Sequence, residues 1–128
     1  MSNAKFTLSH GLLSAFLEMS NVDGTIDKIE LNKIGEVSRK YITALGDDFD
    51  QVVSETFNWF VDAEQENRVN NVLNSVRQFK DFFDKKTLIF IAKDLVRVAQ
   101  SDGDIHDREA KLFGVCLDFM GLTREDLE

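Results

Sequence analysis

The chain has 128 residues, and its 23 acidic and 15 basic side chains give a formal charge of −8. That balance argues against nucleic acid and anionic membrane surfaces as partners, because both need clustered cations that face phosphate. Its single cysteine excludes an internal disulfide and the zinc sites built from two or four cysteines. A hydrophobic fraction of 43% supports one domain with a real core over residues 1–128.

Apolar residues recur at helical spacing along nearly the whole chain, and there is no proline. Both features predict an all-α bundle of six or seven helices. The apolar stripes occupy residues 8–19, 31–45, 49–61, 69–83, 88–98 and 112–120. The fifth stripe is apolar nearly all round, so we expect it to form the central, most buried helix.

Turn and cap residues divide these stripes. Gly46 is expected to close the second helix, and Asp47 or Asp48 to cap the third. Gly121 should end the sixth helix, after which Thr123 begins a short capped turn. The longest uncharged run, residues 6–17, is too short to cross a bilayer and lacks a basic leader. We therefore expect a soluble, cytoplasmic protein with no membrane insertion.

One segment of the chain occurs twice. Residues 23–30 begin Asp23-Gly24 and return as residues 102–109, which begin Asp102-Gly103, 79 positions later. The same offset pairs apolar residues on both sides: Leu12 with Ile91, Phe16 with Leu95, Met19 with Val98 and Ile34 with Phe113. These matches predict an internal duplication of a helix–Asp-Gly loop–helix unit, at about 8–45 and 87–121.

Local chemistry explains most of this loop. Gly24 and Gly103 suit the left-handed residue that closes a helix. The isoleucines two positions later, Ile26 and Ile105, are expected to return to the core. Asp27 and Glu30 have the spacing of a capping box, and His106 and Glu109 hold the equivalent positions.

Asp23 and Asp102 are the residues that capping explains least, since an acid at a helix C-terminus opposes the helix dipole. Such a charge needs a cation or backbone N–H groups beside it. The loop resembles a calcium EF-hand from its fifth position onward, but Met19 and Val98 stand where the first ligand should be. Pure capping and a cation site both remain open at this point.

The repeated pattern Asp-Gly-x-Ile-x-x-x-Glu in an all-helical chain resembles the TerB family of tellurite-resistance-associated proteins, most strongly over residues 95–127. That resemblance implies a helical bundle whose two Asp-Gly loops lie near each other and bind a divalent cation such as Ca²⁺, Mg²⁺ or Mn²⁺. The implied metal ligands are Asp23, Asp27, Glu30, Asp102 and Glu109, with Asp104 beside them. Val22, Ser101 and His106 depart from the family's usual residues.

No catalytic signature accompanies these acids in the sequence. His10 has no acid or cysteine near it and is interpreted as incidental, and Cys116 lies on an apolar stripe as a core thiol. We therefore expect a non-catalytic module that binds a divalent cation or a protein partner in a bacterial tellurite or metal stress response. The partner would belong to a cytoplasmic or membrane-associated complex. The alternatives are a metal-dependent hydrolase that uses the loop carboxylates and a degenerate EF-hand-like calcium sensor.

Overall fold

The computed structural model describes residues 7–20, 28–99 and 107–128. These residues form six α-helices and a final 3₁₀ turn, with no strand among them, which confirms the all-α prediction. The elements are α1 (Leu8–Ser20), α2 (Lys28–Ala44), α3 (Phe49–Asp62), α4 (Gln65–Phe82), α5 (Lys85–Ala99), α6 (Asp107–Met120) and the 3₁₀ turn (Arg124–Leu127).

Local chemistry sets the helix ends where the sequence predicts them. Gly46 and Gly121 have φ values of +86° and +73°, the left-handed conformation that glycine adopts at little cost. Asp48 caps α3, where its Oδ1 accepts the backbone N–H of Gln51 at 3.1 Å. Thr123 opens the last turn and donates its backbone N–H to the side chain of Asp126 at 2.8 Å.

The central helix is α1, and the prediction that the fifth stripe is the most buried helix is wrong. Every residue from Ser9 to Met19 is buried, and α1 contacts each of the other five helices. In contrast, α5 keeps one face in solvent. The reason is size and pairing: α1 carries small residues that let its neighbours approach, and its buried Ser9, His10 and Glu18 side chains bind polar groups of other segments.

Close approach is tightest between α1 and α4. A Cβ added at Gly11 would lie 2.3 Å from Oγ and 2.5 Å from Cβ of Ser75, so no larger side chain fits there. Farther along α1, the ring of Phe16 stacks on that of Tyr41 from α2, with centroids 6.4 Å apart. Helix α1 thus joins the first half of the chain to the second through its own packing.

Candidate functional site

Most of the predicted loop residues lie outside the described residues. Asp23, Gly24, Ile26 and Asp27 fall in 21–27, and Asp102, Gly103, Asp104 and Ile105 fall in 100–106. Glu30 and Glu109 belong to the first turns of α2 and α6, but their side chains are not described. The predicted metal ligand set and the predicted loop contacts therefore stay predictions.

The helices that flank these two segments end and begin at matching positions. Ser20 ends α1 and Ala99 ends α5, 79 residues later; Lys28 begins α2 and Asp107 begins α6, again 79 residues later. The paired apolar residues are all buried: Leu12 and Ile91, Phe16 and Leu95, Met19 and Val98, and Ile34 and Phe113. The described helices thus share spacing and buried positions, while the internal duplication itself remains a prediction.

A buried ion pair lies in the last described turns of α1. The Glu18 carboxylate is only 1% exposed, and its Oε1 lies 2.9 Å from Nε of Arg68 on α4. Arg68 also donates to the carbonyl of Ala63 at 2.8 Å and places its guanidinium 4.9 Å from the ring centre of Phe60. The cation offsets both the cost of burying a carboxylate and its unfavourable place near a helix C-terminus.

A second buried acid, Asp94, lies on α5 five residues before the last residue of that helix. It is 3% exposed and accepts a hydrogen bond from the Tyr41 hydroxyl at 2.5 Å. Lys40 and Arg97 place their charged nitrogens 3.1 Å and 3.2 Å from its oxygens. Burial, followed by the hydrogen bond to Asp94, raises the pKa of Tyr41 well above its ordinary value. This cluster ties α2 to α5 and leaves Asp94 engaged on both oxygens.

Among the described residues, His10 and Cys116 have structural roles. His10 is buried, not incidental: its Nδ1 lies 2.7 Å from Oγ1 of Thr7 and its Nε2 lies 2.9 Å from Oε1 of Glu55. The hydrogen bond from His10 lowers the pKa of Glu55.

Cys116 is 1% exposed, as its apolar stripe predicts, and burial raises the pKa of its thiol to about 12. Within residues 7–20, 28–99 and 107–128, no group of three His, Cys, Asp or Glu side chains could hold a metal.

The chain matches the family described as "Tellurite resistance protein TerB" over residues 9–128, from the first turn of α1 to the last residue. The chain belongs to the TerB family. The resemblance drawn from the two Asp-Gly segments is thereby confirmed, and the family description links the domain to tellurite resistance. No curated protein and no solved structure matches it significantly. In the described part of this TerB domain, no helix has the length and apolar character needed to span a membrane.

An open groove of about 380 Å³ lies between α2 and α3, above α1. Its wall combines apolar side chains with one acid and one base, and the guanidinium of Arg39 lies 4.5 Å from the ring centre of Phe49. The lining residues are Leu13, Ile34, Gly35, Glu36, Arg39, Phe49 and Val53. Glu36 and Arg39 bring opposite charges to the groove, so its charge selects neither a cationic nor an anionic ligand in this TerB domain.

Sequence reasoning missed the two buried acids. The available signal was a charged residue inside an apolar run: Glu18 follows Phe16 and Leu17, and Asp94 precedes Leu95 and Val96. The guanidinium that compensates Glu18 is 50 residues away in the chain, and the phenol that binds Asp94 is 53 residues away, so spacing alone does not identify them.

Proposed function

We propose that this TerB domain is a non-catalytic module that binds a divalent cation at its two Asp-Gly segments and presents that site to a protein partner in a tellurite or metal stress response. The family match over residues 9–128 carries the proposal. The matching helix ends on both sides of the two segments support it, since they flank two acidic stretches of equal length.

The chemistry of the acids supports a hard cation. Asp23, Asp27 and Glu30 in the first segment, with Asp102 and Glu109 in the second, offer carboxylate oxygens of the kind that Ca²⁺, Mg²⁺ and Mn²⁺ prefer. The buried acids Glu18 and Asp94 already have cationic partners, Arg68 for the first and both Lys40 and Arg97 for the second. The proposed site therefore draws on the segment acids and not on the interior ones.

The described side chains also favour binding over catalysis. Cys116 stays protonated at neutral pH because its buried thiol has a pKa of about 12, so it is a poor nucleophile. Both ring nitrogens of His10 lie against Thr7 and Glu55, which makes this histidine a structural residue of α1.

Titration calorimetry and thermal melting with Ca²⁺, Mg²⁺, Mn²⁺ and Zn²⁺ test the cation site. We expect heat of binding for the wild type and its loss in Asp23→Asn/Asp102→Asn. A cation at 100 times its Kd should stabilise the wild type by about 2.7 kcal/mol. The matched control is Asp62→Asn/Asp81→Asn, which removes the same charge from exposed acids at the ends of α3 and α4.

Two results would contradict the proposal. Equal heats and melting temperatures in the segment variant and the control, with every ion, would leave the acids as capping residues only. Metal-dependent turnover of a phosphoester or peptide substrate by the purified wild type, lost in Asp23→Asn/Asp102→Asn, would replace a binding module with a metal-dependent hydrolase.

A further inference from the structure

Helix α5 carries a basic face that composition does not reveal. Lys86, Phe90, Lys93 and Arg97 follow one another at spacings of four, three and four residues, and all four side chains are exposed. At 100° per residue they fall within an arc of roughly 60° on the helix surface, along about 16 Å of its axis. We call these four residues the α5 basic face.

Neighbouring acids cancel only part of the charge on this face. Hydrogen bonds with Thr87 and the nearby charge of Lys86 lower the pKa of Asp84, the exposed acid directly before α5. Lys86 and Lys93 form no ion pair within the described residues. Arg97 shares the buried carboxylate of Asp94 with Lys40, so those three groups together keep one positive charge. The cations of the face and Lys40, taken with Asp94 and Asp84, therefore keep a net charge of +2 on a chain whose total is −8. Asp94 is the only acid within α5, and it is buried.

Exposed aromatic surface accompanies these cations. Phe90 is 49% exposed in the middle of the face, and Phe82, at the end of α4, is 67% exposed. Phe82 and Lys86 are four positions apart in the chain, so their Cα atoms are at most about 15 Å apart. A phenylalanine has no polar tip to place in water, so Phe90 gives this face one apolar group that an apolar layer can bury.

We propose that the α5 basic face docks onto the anionic lipid headgroups of a membrane, with Phe90 as its apolar anchor. The face is a convex helix ridge, which fits a flat and deformable layer without needing a complementary groove. Its lysines and arginine meet lipid phosphates, and the ring between them reaches the boundary of the acyl chains.

The overall negative charge does not prevent this contact. The Debye length is about 8 Å at physiological ionic strength, whereas a domain of this length has a radius of gyration of about 14 Å. Acids on the opposite side of the domain are therefore screened from the lipid. Net charge does not exclude an anionic surface as a partner here, because three cations of α5 lie on one face of the helix.

A single-stranded nucleic acid is the competing anionic partner. Proteins that bind it line a basic groove with aromatic rings on which bases stack. The α5 basic face is a ridge with one ring, and it carries no asparagine, glutamine, serine or threonine to contact a base or sugar. These features favour lipid phosphate over nucleotide phosphate.

Vesicle flotation in EDTA tests the proposal, using equimolar phosphatidylcholine and phosphatidylglycerol against phosphatidylcholine alone at 50 mM and 500 mM NaCl. We expect binding to the anionic vesicles at low salt only. Each cation near such a surface gives about a five-fold gain in partitioning, so Lys86→Gln/Lys93→Gln should lower the partition coefficient about 25-fold. Phe90→Gln should lower it as well.

The matched control is Lys33→Gln/Lys111→Gln, which removes the same charge from exposed lysines of α2 and α6 and should retain wild-type partitioning. Equal losses in the two double variants, or no binding to anionic vesicles at 50 mM NaCl, would overturn the proposal. Binding of single-stranded poly-uridine that depends on the α5 basic face, without binding to vesicles, would also overturn the proposal. EDTA removes divalent cations, so these outcomes are independent of the proposed cation site.

Discussion

Asp94 is a carboxylate held in the interior by a phenol and two cations, and these partners differ in what they contribute. The Tyr41 hydroxyl is buried with the carboxylate, so its hydrogen bond forms away from water. The Lys40 side chain is 59% exposed, so water and salt screen its attraction to the acid. The phenol should therefore matter more to stability than the lysine does.

Tyr41→Phe is expected to destabilise the domain by about 1.5–3 kcal/mol, the usual contribution of a hydrogen bond to a charged group. The ring and its stacking on Phe16 are retained, so the loss reports on the hydroxyl. Lys40→Gln should cost less than about 1 kcal/mol. Urea unfolding followed by circular dichroism measures both, and a larger loss in Lys40→Gln would contradict this assignment.

Burial of the Cys116 thiol predicts a loss of folding stability at alkaline pH. The thiol ionises near pH 9 when exposed, but its pKa is about 12 in the folded protein because burial disfavours the thiolate. Above pH 9, ionisation therefore favours the unfolded chain, and stability falls by at most about 1.4 kcal/mol per pH unit. The stability of Cys116→Ala should fall less steeply between pH 8 and pH 10 in urea unfolding. Equal slopes for wild type and variant would contradict burial of the thiol.

Helix α1 packs against α4 through a glycine, and that contact predicts a substitution effect opposite to helix propensity. Alanine is a better helix former than glycine by up to about 1 kcal/mol. At Gly11, however, a new Cβ would collide with Ser75, so we expect Gly11→Ala to destabilise the domain by about 1–3 kcal/mol. Thermal and urea unfolding of the variant measure this loss.

The chain offers a matched control for this substitution. A Cβ at Gly114, inside α6, would meet no atom within 4 Å, so Gly114→Ala should stabilise the domain by about 0.5–1 kcal/mol. Removing the colliding side chain in Gly11→Ala/Ser75→Gly should recover much of the lost stability. If Gly11→Ala were as stabilising as Gly114→Ala, the close approach of α1 and α4 would be wrong.

At the scale of the whole molecule, features set by neighbouring residues, such as helix ends, could be predicted from the sequence. The arrangement of the helices around one another could not. Gly46, Gly121 and Asp48 act within a few residues of their position, so their types predict the helix ends. The apolar pairs related by the 79-residue offset are buried as expected. Periodicity shows how apolar each helix is, but not which helix the others surround, so it predicts α5 as the central helix instead of α1.

In the candidate site, too, local sequence patterns were predictive and contacts between distant residues were not. The two Asp-Gly segments predicted the family, and the family match confirms it. Arg68, which pairs with Glu18, and both Lys40 and Tyr41, which contact Asp94, come from other helices, whereas Arg97 contacts Asp94 from within α5. Net charge also concealed the α5 basic face, because a sum over the chain contains no information about where side chains lie.

The central position of α1 sets an order of events during synthesis. Helix α1 leaves the ribosome first, but its closest neighbour, α4, ends about 60 residues later in the chain. At roughly 5–20 residues per second, translation leaves the most apolar helix without that neighbour for roughly 3–12 s. During that interval the face of α1 that packs on α4 lacks its partner, so a chaperone or a premature contact with another chain can occupy it.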